Sequence, residues 1–149
     1  MCALPTVQVD AALRHLGCTA DVVTLDPSRL EDDPLFCGGH WIPDQVRAAG
    51  GEPVGMHEGT ASGPTSWEAL RAVAPEVLVV APCGFGLDGA SEQARVVAEQ
   101  VPDATVWAID GDAMVVRPGP RLVDGVEAIA SILHPGVLPP SSLTRSLRA

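Results

Sequence analysis

The stretch Ser66 to Ala90, SWEALRAVAPEVLVVAPCGFGLDGA, decides the fold. Ser66 is suited to cap a helix over Trp67 to Val73, and Pro75 stands just past its end. Glu76 to Ala81 (EVLVVA) is apolar, Val-rich and of strand length, as a strand buried on both faces should be. A second helix is expected from Leu87 to Val101. Working outward, Thr105 to Asp110 (TVWAID) reads as another buried strand, and Pro120 to Leu133 as a helix with Leu122, Val126, Ile129 and Leu133 inward. Upstream, Pro43 fits a first helical residue, with the helix running to Ala49 and closed by Gly50 and Gly51. Ala20 to Leu25 reads as a strand and Val7 to Leu16 as a short helix. Asp26 to Gly39 is acidic and loop-like, Glu52 to Pro64 is loop with at most a short strand at its start, and the tail after His134 is expected to fray. Strands alternating with helices over short connections imply right-handed crossovers and a small, mostly parallel sheet covered by helices, an α/β fold.

A chain of 149 residues has room for one domain, and 46% hydrophobic against 19% charged residues makes it globular rather than disordered. The net charge of -10 offers no basic surface, which argues against nucleic acid and against anionic membranes. All nine basic residues are Arg, so chemistry that needs a Schiff-base or phosphate-loop lysine is excluded. No run is long enough to span a bilayer, and no membrane insertion is expected. MCALPTVQVDAAL has neither a charged start nor a long apolar run, so the chain as it stands reads as cytoplasmic. Cys2, Cys18, Cys37 and Cys83 are scattered without a CxxC, as reduced thiols would be. With no HxH or HExxH and no GxSxG, neither a metal site nor catalytic residues can be nominated.

Three segments carry possible chemistry. Gly84-Phe-Gly86-Leu-Asp-Gly89 is a GxGxxG between a predicted strand and a predicted helix, the pattern that brings a pyrophosphate to a helix N-terminus, with Asp110 placed for a ribose. Pro82 and Cys83 lengthen the turn, however, and the strand is not the first in the chain; the plainer reading is a strand-to-helix loop. In Gly38-Gly39-His40-Trp41-Ile-Pro43 a glycine pair delivers an imidazole and an indole to a helix start, which suits a flat, partly polar ligand; a surface His and a core Trp would look the same. Arg117-Pro-Gly-Pro-Arg121 follows a strand end, where a rigid loop with two guanidinium groups could grip an anion or amide; Arg121 could equally pair with Asp124.

Taken together, DPLFCGGHWIPDQVRAAGG (Asp33 to Gly51), SWEALRAVAPEVLVVAPCGFGLDGA (Ser66 to Ala90) and WAIDGDAMVVRPGPRLVDGVEAIASILHP (Trp107 to Pro135) resemble the C-terminal part of the cobalamin-binding members of the periplasmic solute-binding proteins. These serve ABC importers of iron-siderophores and cobalamin. The resemblance implies a single Rossmann-like lobe at residues 33–135, a remnant of the N-terminal lobe at 1–32 and a flexible tail at 136–149. It implies a non-enzyme without a cofactor, whose ligand is cobalamin or a similar metal chelate. His40, Trp41, the loop Cys83, Gly84 and Phe85, and Asp112, Met114 and Arg117 would line one side of a ligand cleft, with no metal site of the protein's own. Met114 and Val115 stand where similar proteins carry aromatic residues, thinning the stacking wall. An importer permease, a chelate ligand and a homodimer are the expected partners, and the family's place is the periplasm or cell surface. Val9 to Glu31 resembles the end of an N-terminal lobe joined almost directly to the next, so Ala20 to Leu25 is expected to take the position of a missing strand. An NAD(P)-binding oxidoreductase built on the 84–89 glycines is the alternative.

Overall fold

The computed structural model describes residues 18–25, 35–115 and 117–147; the helix expected over Val7 to Leu16 lies outside them. Among the described residues the chain runs β1 (Cys18–Leu25), β2 (Leu35–Cys37), α1 (Ile42–Ala48), β3 (Gly51–Pro53), β4 (Gly63–Pro64), α2 (Trp67–Val73), β5 (Val77–Val80), α3 (Leu87–Gln100), β6 (Thr105–Ile109), α4 (Gly111–Met114), α5 (Leu122–Leu133) and β7 (Thr144–Ser146). One sheet holds these strands in the order β4-β2-β1-β5-β6-β7, with β3 also paired to β1. The centre is parallel: β1 with β3, β1 with β5 and β5 with β6. Antiparallel strands close both sides, β2 and β4 on one and β7 on the other.

Alternation along the strands divides the core between two faces. Val22 and Val79 face Ile42 and Val46 of α1 and Ile129 and Ile132 of α5. Val23, Leu78, Val80 and Val106 face Leu70 of α2 and Ala90, Ala94 and Val97 of α3. Two helices begin where their sequence offers a start. The Ser66 hydroxyl accepts from the Ala69 amide at 3.0 Å, and Pro43 lies in the first turn of α1. On α5, Ile129 and Leu133 are buried as expected, whereas Leu122 and Val126 are only half-buried. Small residues, Gly125, Ala128 and Ala130, fill the buried stripe beside them and let the helix lie close to its neighbours.

Two expectations are corrected. The acidic stretch does not remain loop throughout, because Leu35–Cys37 pairs antiparallel with the end of β1 and buries Leu35 and Cys37. The tail does not simply fray: Thr144–Ser146 adds to β6, with the Leu147 amide bonded to Val106 O at 3.0 Å, satisfying a strand edge that would otherwise be bare. The short α4 was also not anticipated from the sequence. β1 sits inside the sheet, with Ala20 to Val23 in register with Val77 to Val80. It therefore covers the edge of β5, and the described part of residues 1–32 belongs to the same sheet as the strands that follow.

Candidate functional site

The segment after β6 is the hub of the site. The Asp110 carboxylate accepts from the Ala113 amide at 3.0 Å and so starts α4 directly at the strand end. Gly111 is packed against the backbone of Ala81 and Pro82, where a Cβ would come within 2.9 Å of their atoms. That contact seats α4 on the C-terminal end of β5. One residue on, Asp112 reaches in two directions. Its Oδ1 accepts from the Gly84 amide at 2.9 Å, and its Oδ2 lies 3.2 Å from the Arg117 guanidinium. Arg117 thus pairs within the rim, and among the described residues no ion pair joins Arg121 to Asp124.

The loop after β5 presents Cys83, Gly84 and Phe85 to solvent, with Gly84 at φ 79, in the left-handed region that favours glycine. Phe85 is 38% exposed and lies against Gly89, where a Cβ would come within 2.7 Å of its ring. The third glycine of the GxGxxG pattern is therefore accounted for by room for this phenyl ring on the first turn of α3. A phosphate cradle is not needed to explain it.

The third segment arrives from β2. The Gly38 amide donates to Val22 O at 2.8 Å, the Gly39 amide to the Ser62 hydroxyl at 2.9 Å and the His40 amide to Thr60 O at 2.6 Å. His40 is exposed at φ 52, an uncommon conformation for a residue with a side chain. Its ring centroid is 5.6 Å from that of Trp41, tilted by 33°. The half-buried Trp41 donates its indole N–H to Val115 O at 2.8 Å. Met114 is half-buried against the core.

All three expected segments therefore meet at residues 112–115, by Trp41 to Val115 on one side and Gly84 to Asp112 on the other. His40, Cys83, Gly84, Phe85 and Arg117 are the exposed members, while the half-buried Trp41 and Met114 act in part as supports. Sequence reasoning missed the supports Gln45 and Gly125. The only signal for Gln45 was a polar residue on the inner stripe of IPDQVRA.

Away from this rim, burial pushes the Asp21 carboxyl up to about 8 against the lowering effect of a backbone hydrogen bond from Val22, with its Oδ1 left without a donor among the described residues, and burial with the nearby Asp21 pushes the Cys37 thiol up to about 11. A separate apolar groove of about 460 Å³ is lined by Trp107, Ser131, Pro135, Leu138 and Pro140. Among the described residues no three His, Cys, Asp or Glu side chains gather as a metal site, and no helix is long and apolar enough to cross a membrane.

No protein-family model and no curated protein sequence matches the chain. Solved structures do. A periplasmic heme binding protein from Pseudomonas aeruginosa is 23% identical with a TM-score of 0.69, covering 95% of this chain and 52% of that one. The periplasmic vitamin B12 binding protein BtuF of Vibrio cholerae is 18% identical, with a TM-score of 0.53 over 86% of this chain and 49% of that one. An ABC-type Fe3+-hydroxamate transport system from Saccharomonospora viridis is 18% identical, with a TM-score of 0.61 over 86% and 44%. The chain spans about half the length of these structures. Its fold is that of a Rossmann-like lobe of periplasmic binding proteins.

Proposed function

We propose that the chain is one lobe of a solute-binding protein for a flat metal chelate, cobalamin or a similar ligand, working with an ABC importer. On this reading residues 33–135 correspond to the C-terminal lobe, residues 1–32 to the end of the N-terminal lobe, and residues 136–149 to a tail whose Thr144–Ser146 pairs with β6. The observation that carries it is the hydrogen-bonded junction at residues 112–115, which links the loops that follow β5 and β6, with the exposed Phe85 ring and the Arg117 guanidinium, to the segment after β2 that carries His40 and Trp41. His40, Trp41, Cys83, Gly84, Phe85, Asp112, Met114 and Arg117 form the ligand-facing rim. Aromatic rings supply flat apolar contact, and Arg117 with His40 supplies polar contact to peripheral amides or carboxylates. Catalysis is not part of this reading, and the solved neighbours are binding proteins. The nucleotide alternative has no support in the loop geometry, since Phe85 explains Gly89.

A lone lobe covers one face of such a ligand, so affinity is weak unless a second chain, a like copy or a complementary lobe, covers the other. On this reading the working protein acts in the periplasm or at the cell surface, which the periplasmic neighbours support. The test is a thermal-shift and fluorescence titration with aquocobalamin, haemin and a ferric siderophore. Binding of at least one is expected, and Phe85→Ala should weaken it about fivefold to tenfold through loss of aromatic contact. No shift with any of the three would overturn the reading.

A further inference from the structure

We infer that Gln45, which is buried beneath the rim, is the positioning residue that sets the Asp112–Arg117 side of it. The ligand consequence rests on the function proposed above; the positioning itself does not. On α1, Ile42, Val46 and Ala49 enter the core, and Gln45 shares their inner stripe at 4% exposure. Packing alone would favour an aliphatic side chain there. Instead the Gln45 amide donates through Nε2 to two backbone carbonyls, Met114 O at 3.5 Å and Leu122 O at 3.2 Å. Those carbonyls stand at the two ends of the connection that carries Arg117, from the last residue of α4 to the first of α5. One amide group thus clasps both ends of the loop.

Three further features fit this role and no other described one. Gly125 lies in α5 where a Cβ would come within 2.2 Å of Met114 O and 2.9 Å of Gln45 Nε2, so a side chain there would displace both partners. The Trp41 indole adds a parallel bond to Val115 O from the residue just before α1. Gln45 Oε1 is buried without a hydrogen-bond partner, a cost that a Leu or Met would avoid and that is offset here by the two donations. From the far side Asp112 holds Gly84 and Arg117, so the brace is joined to both through residues 112–115.

The deciding measurement is amide hydrogen exchange on the full chain without ligand. Gln45→Met keeps the volume and removes both donors. Exchange across residues 113–117, including the Val115 amide that bonds to Gly111 O at 2.9 Å, should accelerate about tenfold, with β5 and β6 unchanged within about twofold. No acceleration, or equal acceleration in β5 and β6, would overturn the inference. Gln45→Glu gives a second readout: only its neutral carboxyl can donate, so protection of Val115 should return as pH falls, after correction for intrinsic exchange. A pH-independent difference from wild type counts against positioning by donation. With aquocobalamin as probe, Gln45→Met should lose about tenfold in affinity. Retained affinity despite faster exchange would remove the ligand consequence, and absence of binding in the wild type would remove the function proposed above while the exchange result stands.

Discussion

β5 and β1 lie side by side in parallel register, yet they solve burial differently. Val77 to Val80 is apolar at every position, buried on both faces, and leaves no side-chain polar group to satisfy. β1 is equally interior but carries Asp21, 1% exposed, with Oδ1 unpaired and Gly55 so close that a Cβ there would lie 2.4 Å from Oδ2. The sheet is therefore strong along β5 and β6 and strained electrostatically along β1. β1 holds its central place by backbone pairing and by burial of Ala20, Val22 and Val23, which together outweigh the cost of burying Asp21.

The sharpest way to test this contrast is to damage the strong side. Leu78→Ala removes a fully buried side chain between β5 and the α2 and α3 face, and should cost about 3–4 kcal/mol in denaturant melts. A loss below about 1 kcal/mol would show the β5 core to be loosely packed. Next in size is relief of the weak side. Asp21 stays protonated in the folded chain up to about pH 8, while its ordinary value is 3.8. The folded state thus binds more protons between these limits, so the Asp21 contribution is fully present below about pH 4 and is lost as pH rises towards 8. The slope approaches about 1.4 kcal/mol per pH unit. Asp21→Asn should accordingly stabilise the chain by on the order of 2–4 kcal/mol at pH 8 and hardly at all at pH 4. An equal effect at both pH values would dissolve the distinction between the two strands. Smallest is the cap of α2, whose Leu70 and Val73 lie over the β1 side. Ser66→Ala should cost about 1 kcal/mol in the same melts. A cost near zero would mean that α2 contributes little to shielding Asp21.

Much of this architecture could be read without coordinates. EVLVVA and TVWAID are strands because continuous apolar runs bounded by Pro, Gly and Asp have no other economical use. Ser66, Pro43 and Gly50 marked helix ends through local hydrogen bonding and backbone preference. The three rim segments were visible because their residue types are costly to expose or to restrain without purpose. What could not be read were the elements stabilised by distant partners. β2 and β7 are three-residue strands whose sequences, LFC and TRS, have no strand pattern, and they exist because β1 and β6 offer unpaired edges. Gln45 stood only as a polar residue on the inner stripe of its helix, and its partners, the Met114 and Leu122 carbonyls, lie 69 and 77 residues further along the chain.

The chain's own order of residues determined an α/β fold with a parallel centre and the three loops that carry polar and aromatic groups, since periodicity, caps and breakers act over a few residues. Only the tertiary structure decided that Trp41 and Gln45 brace the rim, that Phe85 rather than a phosphate accounts for Gly89, and that Asp21 is buried in mid-sheet. Those outcomes depend on which groups distant segments bring within a few ångströms, and hydrogen bonding and desolvation act only at that range.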